Sequence, residues 1–128
     1  EDVFSDTERQ ELMQFFTSFG KTEIVPENLM DAVTAASGSS PAFVYMFIEA
    51  LADAAVKHGI VRADAYRMAS QMVVGTGKLQ LATGQHPAVM KDAVCSPGGT
   101  TIVGVGELER KRFRGAVIDA IDAIQDKK

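Results

Sequence analysis

The sequence predicts an all-α domain of five or six short-looped helices behind a short αβ segment. Three observations carry that prediction. Apolar residues recur three and four positions apart through most of the 128 residues. Helix starters and stoppers fall between those runs: Ser5 to Glu8, Pro26, Ser40-Pro41 and Pro87 as starts, Gly20, Gly59 and Gly84 as stops. Only one stretch, Thr22-Glu23-Ile24-Val25, has strand character, and a single strand cannot satisfy its own backbone.

In chain order, Ser5-Asp6-Thr7-Glu8 has the spacing of a capping box. Leu12, Phe15, Phe16 and Phe19 then form one helical face, closed by Gly20. Pro26 fits the first turn of a helix through Leu29, Met30, Val33 and Ala36, which Ser37-Gly38-Ser39-Ser40 interrupts. Ser40-Pro41 reads as the capped start of the next helix, Pro41 to about His58. Its first half, Ala42 to Ile48, is apolar on nearly every side, so it must be covered on every side. In so small a domain, that cover implies a second subunit. Its second half carries one polar stripe, Glu49, Asp53 and Lys57, four residues apart.

Asp64 reads as the cap of a helix carrying Ala65, Met68, Met72, Val73, Thr76 and Leu79. Gly75 and Gly77 lie inside it, each unfavourable by about 1 kcal/mol relative to alanine. Close contact with a neighbouring backbone would account for them. Pro87 opens a short helix with Val89, Met90, Ala93 and Val94 inward, and His86 before it reads as a cap or loop residue. Ile102, Val105 and Leu108 mark the next helix. Phe113, Val117, Ile121 and Ile124 mark the last.

Composition excludes several classes. Charged residues make up 23% and hydrophobic residues 46%, which fits a globular chain. A net charge of -4 offers no basic stripe for nucleic acid. The single cysteine, Cys95, permits no internal disulfide and no cysteine cluster; it suits a buried small residue or a thiol at a loop edge, in a reducing cytoplasm. The longest apolar stretch, Pro41 to Ile48, is too short for a bilayer, so no membrane is expected. His58 and His86 have no ligand-spaced partners, and no metal site is expected.

One loop stands out: Cys95-Ser96-Pro97-Gly98-Gly99-Thr100-Thr101. Glycines let the backbone approach a ligand, and a helix starting at Thr100 presents unpaired N–H groups that attract a phosphate or a carboxylate. The same residues also suit an ordinary connection between helices. No Gly-x-Gly-x-x-Gly dinucleotide fingerprint occurs in the chain.

The segments Leu29 to Tyr45 (LMDAVTAASGSSPAFVY), Phe47 to Ala54, His86 to Ile102 (HPAVMKDAVCSPGGTTI) and Phe113 to Ile118 resemble pyrroline-5-carboxylate reductase, in order and over nearly the whole chain. The resemblance implies a Rossmann domain for NADPH or NADH followed by a helical domain of the 6-phosphogluconate dehydrogenase C-terminal type, which dimerises by interleaving helices. Residues 1–25 would then be the last helix and strand of the nucleotide-binding domain, and residues 26–128 the dimerisation and substrate domain. The implied reaction is reduction of 1-pyrroline-5-carboxylate to L-proline in proline biosynthesis. By the same resemblance, Ser96 and the backbone of Gly98, Gly99, Thr100 and Thr101 hold the substrate carboxylate. The Thr101 hydroxyl faces the imine nitrogen as partner or proton donor. The implied partners are a second copy of the chain, in a homodimer or a ring of dimers, and the small-molecule substrate.

The chain departs from the family pattern in three places. Ser40 stands where glycine is usual, Lys111-Arg112 where Gly-Gly often stands, and Gly84-Gln85 offer no acidic residue before His86. Without most of a Rossmann domain the 128 residues alone are predicted inactive. Two other functions fit the residues: a helical self-association module without catalysis, and a related dehydrogenase for another substrate.

Overall fold

The computed structural model describes residues 3–127; the first two residues and Lys128, at the outer ends of the two predicted segments, lie outside it. The chain forms two compact units, residues 1–31 and 32–128.

The first unit holds helix α1, Asp6–Thr17. Its capping box is complete. The Glu8 N–H donates to the Ser5 hydroxyl at 3.4 Å, and the Ser5 N–H donates to the Glu8 carboxylate at 2.8 Å. The Ser5 hydroxyl, 2.7 Å from the same carboxylate, holds Glu8 below the usual carboxylate range, helped by the Ser5 backbone. Phe15, Phe16 and Phe19 meet edge to face, with centroids 5.4–6.0 Å apart. The helix ends at Thr17, ahead of the expected Gly20, and the hydroxyl of its C-cap Ser18 donates to the Phe15 carbonyl at 2.7 Å. Residues 22–25 are not a strand: residues 21–26 carry no regular structure, and there is no strand among the described residues for them to pair with.

A 3₁₀ turn, Glu27–Leu29, leads into α2, Met30–Val33. Here the structure corrects the expected break. Residues Thr34–Ser39 form a π-helical turn that runs into α3, Pro41–Lys57, without interruption. Ser40 does not cap α3. It is itself helical, with φ -66° and ψ -17°, and its hydroxyl donates back to the Ala35 carbonyl at 2.9 Å. The Ser37 hydroxyl does the same to Val33 at 2.7 Å. Pro41 brings no N–H to the helix, and the widened turn with its serine donors accommodates that gap. Taken together, Glu27–Lys57 is long and apolar enough to cross a bilayer by length and composition, with mean hydropathy 1.2 and 6% of that window buried.

α3 ends in a Schellman motif. Gly59, at φ 98°, donates to Val56 at 3.0 Å, and Ile60 donates to Ala55 at 3.1 Å. α4 spans Arg62–Thr83 and starts two residues before the expected cap. Val61 is the N-cap, while Asp64 sits in the first turn and pairs with Arg67. Asp53 on α3 pairs with Arg62, drawing the two helices together at their junction and raising the Arg62 pKa. Gly84 closes α4 at φ 62°. α5 spans Pro87–Val94, α6 Thr100–Arg110 and α7 Phe113–Gln125. α6 and α7 are separate helices joined by Lys111-Arg112. Arg112 takes the left-handed conformation, φ 58°, that glycine adopts freely.

α3 packs on α4, α6 packs on α7, and α7 also meets the π turn. Phe47 and Phe113 tie α3 to α7, with ring centroids 6.1 Å apart. The buried side chains among the described residues are alanines: Ala35, Ala52, Ala65 and Ala69. Small side chains let α3 and α4 approach closely, and nothing larger is enclosed. Tyr45 is 70% and Met46 68% exposed on α3. No neighbour of the kind expected at Gly75 and Gly77 is found among the described residues: a Cβ built on either meets nothing within 4 Å.

Candidate functional site

The loop between α5 and α6 is built by two helix ends and one turn. His86 caps α5, its Nδ1 accepting the Ala88 N–H at 3.2 Å. Pro87 follows at the first helical position. At the other end the Cys95 N–H donates to Asp92 at 3.0 Å, and the Cys95 thiol is free and half-buried. Lys91 pairs with Asp92, whose hydrogen bond raises the lysine pKa against desolvation; Cys95 adds to the rise and Arg114 opposes it.

Ser96 to Gly99 form a four-residue turn closed by the Gly99 N–H donating to the Ser96 carbonyl at 3.0 Å. Pro97 occupies the second position and Gly98, at φ 69°, the third. This is the residue pattern of a type II turn. The positive φ explains Gly98, since other residues reach it only with strain. Gly99 is different: at φ -76° and ψ 169° it lies in extended space open to any residue.

Gly99 is the N-cap of α6, and no side chain caps this helix. The N–H groups of Thr100, Thr101 and Ile102 have no acceptor one turn back within the helix. They form an open, partly positive end, equivalent to about half a unit charge at the helix terminus. Ser96, Gly98, Thr100 and Thr101 are exposed beside it. The structure thus brings together every residue singled out in the sequence and changes the part of one. The Gly99 N–H, expected among the carboxylate donors, is committed to the turn, and the Ile102 N–H joins the open set. Its donor role was legible in principle, because a helix that starts at Thr100 leaves its third N–H unpaired.

The apolar clefts of the helical unit are lined by other residues. One of about 610 Å³ lies among Phe43, Phe47, Leu51, Leu108, Phe113 and Val117, on α3, α6 and α7. The sequence has no Gly-x-Gly-x-x-Gly, and no strand occurs among the described residues.

Comparison with known proteins agrees with the residue reading. The family described as pyrroline-5-carboxylate reductase dimerisation matches residues 27–128. The pyrroline-5-carboxylate reductase of Escherichia coli K12 is 51% identical over 117 residues, covering 91% of this chain and 44% of the relative. That of Synechocystis is 55% identical over 108 residues, 84% of this chain and 40% of the relative. Among solved structures, the Streptococcus pyogenes enzyme superposes with a TM-score of 0.88 at 42% identity, over 99% of this chain and 49% of that one. A Plasmodium falciparum pyrroline carboxylate reductase with NADP bound gives 0.87 at 35% identity, over 99% and 51%. The chain spans about half the length of these relatives or somewhat less. It belongs to the pyrroline-5-carboxylate reductase family, and residues 27–128 are its dimerisation domain.

Proposed function

We propose that the chain is the self-associating and substrate-carboxylate half of a reductase that converts 1-pyrroline-5-carboxylate to L-proline with NADPH or NADH. The observation that carries this reading is the uncapped start of α6 behind the Ser96–Gly99 turn, in a chain whose family is that of the reductase. NADPH or NADH, when bound, supplies the hydride. The residues of this chain bind and orient. The Thr100, Thr101 and Ile102 N–H groups donate to one carboxylate oxygen, and the Ser96 hydroxyl donates to the other. A carboxylate fixed at this point holds the ring above Thr101, whose hydroxyl faces the ring nitrogen as hydrogen-bond partner or relays to it a proton that solvent restores to the hydroxyl. Fixing the ring in one pose turns most encounters into productive ones. We assign residues 1–25 to the end of the nucleotide-binding half and 26–128 to the dimerisation and substrate half. We place the enzyme in the cytoplasm, where a free Cys95 thiol stays reduced.

The partner we propose is a second copy in a homodimer. The exposed Val44, Tyr45 and Met46 on α3 supply an apolar surface for it.

Two measurements test the reading. Joined to the nucleotide-binding half of the Escherichia coli relative, the chain should support imine-dependent NAD(P)H oxidation, while alone it should not. Sedimentation should give twice the chain mass at micromolar concentration; a stable folded monomer there would refute the dimer.

A further inference from the structure

Resting on the carboxylate reading above, we propose that Gly99 is a positioning residue for the Ser96 hydroxyl, glycine for space rather than for backbone conformation. A Cβ at position 99 would stand 2.3 Å from the Ser96 Oγ, 3.1 Å from its carbonyl oxygen and 3.6 Å from its Cβ. The Ser96 hydroxyl is therefore folded back against Gly99, the N-cap of α6. It caps none of the helix N–H groups there. That leaves the hydroxyl and the open N–H groups side by side, each with a donor to spare for the two oxygens of one carboxylate.

The backbone gives no other reason for glycine at 99, since φ -76° and ψ 169° suit any L residue. The closing hydrogen bond from Gly99 to Ser96 at 3.0 Å holds the two residues at fixed separation. The severe clash of a methyl at 99 is with the Ser96 Oγ, and turning Ser96 about χ1 relieves it by swinging the hydroxyl away from the helix start, while the 3.1 Å contact to the Ser96 carbonyl oxygen asks the turn itself to give by a few tenths of an ångström. Gly98 and Gly99 thus answer two separate demands: the first makes the turn, and the second keeps the serine where the turn has put it.

The test is a double-mutant cycle of Ser96→Ala and Gly99→Ala, with two readouts. The first is the Ser96 χ1 rotamer, from three-bond couplings in the unmodified and G99A chains. The second is the apparent Kd for L-proline, measured on the chain joined to a nucleotide-binding half. The tight 3.1 Å contact to the Ser96 carbonyl is common to both backgrounds, so any general folding penalty cancels in the cycle. We expect G99A to change the Ser96 rotamer and weaken L-proline about tenfold, and to weaken it less than twofold once Ser96 is already alanine. An unchanged rotamer overturns the proposal, and so does equal weakening in both backgrounds. If the unmodified protein fails to bind L-proline, the carboxylate reading itself falls, and the rotamer still decides whether Gly99 positions Ser96.

Discussion

α1 and α6 begin in opposite ways. α1 closes its own N-terminus: the Ser5 hydroxyl takes the Glu8 N–H, and the Glu8 carboxylate takes the Ser5 N–H and hydroxyl. α5 is closed too, by the His86 ring. α6 has a turn in front of it that uses up the Gly99 N–H and supplies no cap for those that follow. A missing cap costs a helix about 1 kcal/mol. On the function proposed above, the open start of α6 is the place for the substrate carboxylate, and the closed start of α1 is the contrast that tests it.

The largest expected effect comes from filling the open end. Thr100→Asp puts a permanent carboxylate in the first turn of α6. It should stabilise the helix by about 0.3–1 kcal/mol through the helix dipole. It should also weaken L-proline at least tenfold through charge repulsion at the same donors. Thermal melts and ligand titration read the two opposite signs, and a variant that lost stability and affinity together would contradict the contrast.

Opening the closed end should act in reverse. Ser5→Ala should remove about 1 kcal/mol from α1, seen as faster amide exchange at residues 8 and 9, with ligand response unchanged. A comparable change comes from the connection between α6 and α7. Arg112→Gly should raise stability by about 1 kcal/mol, because glycine adopts φ 58° without a Cβ conflict. The exposed Arg112–Asp119 pair, 3.8 Å apart, offsets little of it.

The smallest effect is in pH. Glu8 is depressed in the folded chain by its bonds to Ser5, so its contribution is present above the ordinary carboxylate pKa and is lost as pH falls through the lowered value. Amide exchange in the first turn of α1 should therefore quicken below that point. The first turn of α6, which has no carboxylate cap, should show no matching step.

Much of the fold could be read from local chemistry. Ser5 and Glu8 at spacing three, Gly59 and Gly84 behind helices, and Pro87 behind His86 each report on neighbours within one turn, and each took the expected place. Ser40-Pro41 misled because Ser-Pro usually starts a helix. Whether it does so or sits inside a π turn depends on where the Ser40 hydroxyl finds an acceptor, here Ala35. Asp64 misled because α4 begins two residues earlier, with Val61 as its N-cap and no side-chain cap, which leaves Asp64 in the first turn. Thr22 to Val25 have strand-like side chains, but a strand is a property of a pair. At the candidate site the loop and two of its open N–H groups, those of Thr100 and Thr101, were legible, the Gly99 N–H was assigned to the ligand although the turn uses it, and the two glycines were legible as a pair. Their different roles were not, because one depends on φ and the other on a serine three residues away.

The most direct measurement is an L-proline titration of the isotope-labelled chain, joined to a nucleotide-binding half and followed by amide shifts. The Thr100, Thr101 and Ile102 amides should move together and saturate, while those of Glu8 and Ala88, already capped, should stay still. Shifts absent from the start of α6, or spread equally over the three helix starts, would contradict the account.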